Sequence, residues 1–306
     1  FLSDSKVINN LKLRASYGFT GNKDLRVEGV DGYLVEAYPS LSLIIPSTAV
    51  VNNSIVNAYN PLNIANPFLQ WERSQEINLG LDYGFFNNRL KGGFDVYSRK
   101  TTGALVKTPI PLELGPNSYF TNFMDVTNKG IEISLGGDLI RNEDFVWSMN
   151  VNWAFNRNNL EKLNGASINP FQLDYYIEGE PVGTIKGYKV AKIFQNQEEV
   201  DALNANSPTG FYDQMSTGVG DFMYEDINGD GEITIDDRAI IGNIEPKYFG
   251  GISNSFAYKN FTLTALFQYS VGAESLWNSI PASTYNGLGE NKYSEYALNT
   301  WTVDNP

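Results

Sequence analysis

A chain of 306 residues with neither cysteine nor histidine has no disulfide framework, thiol nucleophile, imidazole acid or base, or ordinary zinc site available to it. Its 22 basic residues are outnumbered by 35 acidic ones, for a formal charge of -13, which argues against tracking a nucleic-acid backbone. No apolar run reaches the ~20 residues of a spanning helix and no secretory leader opens the chain, so a membrane would have to be crossed by strands.

After a polar lead-in, Leu11, Leu13, Ala15, Tyr17 and Phe19 alternate with Lys12, Arg14, Ser16 and Gly18, the two-residue period of a strand with one apolar face. Gly21 to Pro67, rich in Asn, Ser, Gly and Pro, reads as a long connection with a local strand pair in Leu41 to Val51. A second strand is expected over Gln75 to Phe85, a tight turn at Asn87-Asn88, and a third strand over Leu90 to Lys100. A connection from Thr101 to Thr127, passing through Thr108-Pro109-Ile110-Pro111, leads to a fourth strand over Gly130 to Ile140, closed by a short turn from Arg141 to Asp144.

The fifth strand has the clearest pattern, with Phe145, Trp147, Met149, Val151, Trp153 and Phe155 in one uninterrupted apolar row. At ~3.3 Å per residue and roughly 40° of tilt, that row is about 25 Å tall, the height of a thin bilayer's apolar band. The longest connection follows, Arg157 to Pro246, with a short helix expected around Gln197 to Ala205. Strands six (Tyr248 to Tyr258) and seven (Phe261 to Ser270) flank a turn at Lys259-Asn260 before an irregular tail ends at Pro306.

Within the longest connection, Asp226, Asn228 and Asp230 fall at positions 1, 3 and 5 of a calcium-loop pattern, with Gly231 at 6, Glu232 at 7, Thr234 at 9 and Asp237 at 12. Short oxygen side chains converge on a hard cation in such a loop, glycine makes the sharp turn, and the seventh residue offers its backbone carbonyl. Asp226, Asn228, Asp230, Glu232 and Asp237 are therefore the candidate ligands for calcium. Asp237 departs from the usual glutamate, and its shorter arm points to weak affinity. An Asx/Gly turn without metal is the alternative.

Other candidates carry less. The carboxylate pairs Asp236-Asp237 and Glu198-Glu199 are adjacent in sequence and diverge on most backbones, so an acid/base pair for glycoside hydrolysis is not favoured and the protein reads as a non-enzyme. Tyr119, Phe120, Tyr175 and Tyr176 could stack on sugars, though packing within loops is the simpler reading.

The connections alternate long and short, which in an up-and-down sheet puts the long ones on one side and the tight turns on the other. The expected fold class is all-β, an antiparallel transmembrane β-barrel portion with long extracellular loops. A soluble β-sandwich also alternates, but a connection as long as Arg157 to Pro246 is unusual in a compact soluble domain. Seven strands would leave open edges in lipid, so the sequence is expected to be part of a longer chain, with residues 1-306 in one barrel domain and 157-246 as a single extracellular loop.

Several stretches resemble the SusC/RagA-like TonB-dependent outer-membrane transporters of Bacteroidetes: INNLKLRASYGFTGN (Ile8 to Asn22), NPFLQWERSQEINLGLDYGFFNNRLKGGFDVYSRKTTGAL (Asn66 to Leu105), VTNKGIEISLGGDLI (Val126 to Ile140), EGEPVGTIKGYKVAKIF (Glu178 to Phe194) and GDFMYEDINGDGEITIDDRAIIGN (Gly220 to Asn243). The resemblance implies the C-terminal part of a barrel of about 22 strands, without the family's plug, its TonB-contacting segment or its last strands. It further implies import of oligosaccharides, or of peptides in some members, in the cell outer membrane, together with a SusD-like surface lipoprotein, driven by TonB acting on the plug. A dimer of transporter-lipoprotein pairs is the assembly it favours. A secreted calcium-dependent glycan-binding β module is the alternative from a different class.

Overall fold

The structure, a computed structural model, describes residues 7–22, 26–29, 32–35, 40–42, 44–61, 64–109, 118–164, 176–213, 217–275, 301, 302, 304 and 305. The chain divides into two compact units, the first made of Phe1–Gly183 with Glu245–Gly272 and the second of Thr184–Ile244 with Ala273–Pro306.

Unit 1 opens with β1 (Ile8–Asn22), followed by two small hairpins, β2 (Arg26–Gly29) with β3 (Gly32–Val35) and β4 (Ile44–Val51) with β5 (Ser54–Pro61). Asn52 and Asn53 turn the second hairpin with φ of 50° and 61°, left-handed values that asparagine tolerates and that match the strand twist. The local strand pair expected within Leu41 to Val51 is thus one strand of that stretch paired with the next, Ser54–Pro61.

Long strands follow: β6 (Glu72–Phe85), β7 (Leu90–Pro109), β8 (Ser118–Arg141) and β9 (Phe145–Leu163). Unit 2 supplies β10 (Thr184–Gly187), β11 (Val190–Ile193), the helix α1 (Gln197–Asn206), β12 (Phe222–Tyr224) and β13 (Ala239–Asn243). The chain then returns to unit 1 as β14 (Tyr248–Tyr258) and β15 (Phe261–Val271). The large sheet has seven strands in the order β1-β6-β7-β8-β9-β14-β15, antiparallel throughout.

The connection expected over Thr101 to Thr127 is mostly strand. β7 and β8 stay paired up to Pro109 opposite Ser118, through register shifts around Gly103, whose φ is +63°. A bulge inserts a residue and flips the side-chain period, which is why alternation fades there in the sequence although pairing continues. Ile110 and Pro111 lie outside the described residues.

Register sorts the side chains into two faces. One row across all seven strands reads Leu11, Tyr83, Gly92, Leu135, Val151, Ile252 and Phe267. Many side chains of this face are bare, Leu13 being 82% exposed and Phe261 79%, far beyond what an aqueous surface ordinarily leaves in one continuous patch. On the opposite face Arg14 of β1 pairs with Asp82 of β6 and Asp95 of β7, both at 2.9 Å.

Arg14 reaches Asp95 by crossing Gly80, which stands between them in register. A Cβ at Gly80 would lie 2.5 Å from the Asp95 carboxylate and 2.7 Å from the guanidinium carbon. Tyrosines use the same vacancy: Tyr83 lies opposite Gly92, Tyr97 opposite Gly130 and Tyr269 opposite Gly250. Each crosses its glycine to donate a hydrogen bond to the strand beyond, Tyr97 to Asn156 Oδ1 at 3.1 Å and Tyr83 to the Ser134 carbonyl at 3.3 Å. An aromatic ring over a strand glycine restores the packing the glycine lacks.

Unit 2 has its own small core of Phe194, Val200, Tyr212 and Ile233, flanked by Leu203, Met223 and Tyr224. α1 is fixed at its start by Asn196, whose side chain accepts the Glu199 N–H at 3.0 Å, an ordinary N-cap. The stretch expected as one loop, 157-246, is therefore partly strand β9 and largely a folded body with β10 paired to β13 and β11 to β12.

Candidate functional site

The loop from Asp226 to Asp237 is built from its own oxygens. Asp226 accepts the Gly229 N–H at 2.7 Å on Oδ1 and the Gly231 N–H at 2.8 Å on Oδ2, so position 1 clamps the glycine turn. Asn228 Oδ1 accepts the Asp230 N–H, and Asp230 accepts the Glu232 N–H on Oδ1 and the Asn228 amide on Oδ2, each at 2.9 Å. Gly231 has φ of +86°, the conformation that makes glycine the residue of choice at this turn.

Asp237 is completely buried. Its Oδ1 accepts the Ile227 N–H at 2.9 Å and its Oδ2 the Thr234 N–H at 2.7 Å, with Asn228 N–H and the Thr234 hydroxyl further out at 3.4 and 3.3 Å. Thr234 and Asp237 form a reciprocal capping box on the short 3-10 turn Ile235–Asp237. Burial pushes the Asp237 carboxyl up, but the donors from Thr234, Asn228 and Ile227 outweigh it and hold it below the ordinary aspartate range.

The Glu232 carboxylate turns away, taking the Ser207 hydroxyl at 3.1 Å and the Thr209 N–H at 2.9 Å, which leaves only its backbone carbonyl for the loop. Among the described residues no group of three or more Asp or Glu side chains is placed to hold a metal ion. The fit to calcium is thus partial. Asp226, Asn228 and Asp230 each keep unused lone pairs, whereas Asp237 is committed to the loop backbone.

Beside this loop, burial of the Tyr212 hydroxyl, and then the carboxylates of Asp226, Asp213 and Asp237, push its pKa up to about 12. It donates to the Tyr224 carbonyl and ties the loop's base to the core of unit 2. Tyr224 in turn packs against Tyr188 at 5.4 Å and Phe222 at 6.4 Å. Tyr188, Val190 and Phe222 remain substantially exposed, as do Ile227 and Ile235 on the loop itself.

Among the remaining candidates, Phe120, Tyr176 and Glu199 make packing or ion-pair contacts. Phe120 is buried at 5% exposure, and Tyr176 packs edge-on against Phe123 with ring centroids 5.5 Å apart; Tyr119 is half-buried, and Tyr175 lies outside the described residues. Glu199 takes the Lys192 ammonium at 2.8 Å and the Gln195 N–H, and these contacts, Lys192 first, hold its carboxyl below the glutamate range. Glu198 occupies the first turn of α1, and Asp236 gives its N–H to the Thr234 hydroxyl.

The charged lattice on the polar face of the sheet escaped residue-by-residue reading of the sequence. Asp82 and Asp95 lie 68 and 81 residues from Arg14 in the chain, and only strand register brings them to it. The available signal was the charge on the non-apolar side of the alternation.

Residues 5–304 match the family model described as TonB dependent receptor-like, beta-barrel. TonB-dependent receptor P3 of Formosa agariphila is 35% identical over 289 residues, covering 90% of this chain and 27% of that protein. TonB-dependent receptor SusC of Bacteroides thetaiotaomicron is 30% identical, covering 96% of this chain and 28% of that one. Among solved structures, the RagAB peptide transporter aligns with a TM-score of 0.74 at 25% identity, over 100% of this chain and 31% of its own. The chain therefore spans less than a third of the length of these relatives.

Proposed function

The chain belongs to the TonB-dependent receptor-like β-barrel family, and from that premise we propose that it forms part of the wall and outer surface of an outer-membrane importer. The cargo is an oligomeric nutrient, an oligosaccharide or a peptide. The protein works with a SusD-like surface lipoprotein, and TonB powers uptake through parts of the protein beyond this stretch. No bond in the cargo is made or broken; the chemistry is recognition and passage.

The observation that carries this reading is the two-faced seven-stranded sheet. Its apolar face, bare at Leu13, Phe19, Leu263 and Phe267, suits hydrocarbon, and the face bearing Arg14, Asp82 and Asp95 suits a hydrated or protein-filled lumen. A secreted glycan-binding module would leave that apolar face in water, which is why the importer is preferred.

Calcium belongs to the same proposal. Asp226, Asn228, Asp230 and the Glu232 carbonyl would hold the ion, with Asp237 fixing the loop from within. Bound calcium would supply positive charge among the carboxylates of Asp226, Asp230 and Asp237. Exposed Tyr188, Val190 and Phe222 offer an apolar, aromatic surface of the kind protein partners cover.

The test is an affinity purification of the full-length protein from detergent-solubilised outer membrane, with mass spectrometry of what accompanies it. A lipoprotein in stoichiometric amount is expected. Recovery of the protein alone from the aqueous fraction would overturn the reading.

A further inference from the structure

The outward apolar face of unit 1 ends at two cations. One register row reads Ile77, Ser98, Lys129 and Arg157 across β6, β7, β8 and β9. It lies one step beyond Leu79, Val96, Ile131 and Phe155 toward the long connections, and Phe155 closes the apolar row of β9. Lys129 and Arg157 are therefore direct cross-strand neighbours at the rim of the apolar band, and both are exposed.

Like charges directly opposite destabilise a strand pair. Among the described residues neither cation has a carboxylate ion-pair partner. The acidic groups a step further along are engaged elsewhere: Glu161 holds Lys100 at 2.9 Å and the Thr127 hydroxyl, and Asp125 takes the Gly103 N–H at 2.8 Å and the Asn164 amide at 3.2 Å. The Arg157 guanidinium carbon stands 6.0 Å from the centre of the Phe155 ring, so its charge is held above the apolar surface. Directly below the two cations is an open furrow of about 570 Å³ floored by Leu79, Val96, Ile131 and Phe155, with Ser98, Lys129 and Arg157 at its rim.

We propose that this furrow seats a membrane lipid with an anionic phosphate headgroup, the phosphate bridging Lys129 and Arg157 and one acyl chain lying along the furrow. Snorkelling explains a single long cation at a membrane rim. Two cations in direct register over an apolar trough, with no carboxylate in ion-pair contact among the described residues, call for an anion from outside, and a lipid supplies the anion and the chain together. The inference rests on the membrane-spanning reading above.

The full-length protein, reconstituted in nanodiscs of dioleoyl phosphatidylcholine doped with dioleoyl phosphatidic acid, is released for native mass spectrometry. Phosphatidic acid should be retained in preference to phosphatidylcholine. Lys129→Gln combined with Arg157→Gln should weaken that retention about tenfold or more, the size of a lost charge-assisted contact, while Arg141→Gln at the opposite end of β8 should leave it unchanged. Equal retention of the two lipids, or retention indifferent to the double variant, overturns the proposal. Displacement of the lipid by inorganic phosphate alone would also overturn it, because the furrow would then contribute nothing. Failure to enter nanodiscs at all would instead count against the membrane reading itself.

Discussion

At the scale of single residues, two positions hold their surroundings through what they accept or leave empty. Asp237 gives its buried carboxylate to the Ile227 and Thr234 N–H groups, so Asp237→Ala strands buried donors. On the order of 3 kcal/mol of local stability should be lost, read as faster hydrogen exchange through residues 226–237. Because its folded pKa is depressed, the stability it adds is fully present above the unfolded value of about 3.9 and is lost as pH falls through the lower folded value. Protection of this loop, measured relative to the intrinsic exchange rate at each pH, should therefore fall in acid below about pH 4, and the Asp237→Ala variant should lack that acid step.

Gly80 acts through vacancy. Gly80→Ala puts a methyl group 2.5 Å from the Asp95 carboxylate and displaces the Arg14 bridge, and a loss of about 1–3 kcal/mol in heat stability is expected from such overpacking. Gly93→Ala, whose Cβ would meet nothing closer than the Ser134 hydroxyl at 3.2 Å, should cost less than about 1 kcal/mol. Equal effects at the two glycines would mean the lattice on the polar face adds nothing.

At the scale of elements, the strands were legible where alternation was clean. β9 and β15 announce themselves through Trp147, Val151 and Trp153 and through Phe261, Leu263 and Phe267, and the turn at Asn87-Asn88 adopts the positive φ that asparagine tolerates, while in the turn at Lys259-Asn260 it is Lys259 that carries one, 52°. The upper halves of β7 and β8 were not legible, because bulges near Gly103 break the period while hydrogen bonding carries on. The helix of unit 2 was legible, expected over Gln197 to Ala205 and found as α1, but its strands were hidden, since strands of three to five residues such as β12 and β13 are too short to establish a period.

For the candidate site, the ligand order Asp226, Asn228, Asp230 and the Gly231 turn could be read directly. That Glu232 would turn its carboxylate to Ser207 and Thr209 depends on tertiary contacts no spacing encodes, whereas the hold of Asp237 on Thr234 follows the local spacing of a capping box. Calcium binding at this loop predicts that a chelator will increase proteolysis between residues 226 and 237 while leaving the exchange of β6 to β9 unchanged. Cleavage indifferent to chelator would remove calcium from the account. The sheet makes its own prediction: Val151→Arg, near the middle of the apolar row, should cost about 2–4 kcal/mol in a bilayer, whereas Asn152→Lys on the opposite face should cost much less.

At the scale of the whole molecule, the two units divide the work. Unit 1 carries the two-faced sheet, and unit 2 is a folded body with a core of its own, built around Phe194 and Tyr212. On the proposed reading, a partner that rested on unit 2 would be lost without loss of the sheet in unit 1. Replacing the exposed Phe222 and Val190 by Ser should weaken lipoprotein recovery, with no change in the protein's insertion or heat stability beyond about 1 kcal/mol.

Whether the apolar face of the sheet meets lipid can be read directly, because this stretch holds no cysteine. Single cysteines placed in turn at positions 147 to 154 of the full-length protein are labelled with an environment-sensitive fluorophore in the outer membrane and challenged with quenchers confined to lipid or to water. Labels at 147, 149, 151 and 153 should be quenched from lipid and those at 148, 150, 152 and 154 from water or not at all. A pattern without that two-residue alternation, or with both sets reached from water, would contradict the account.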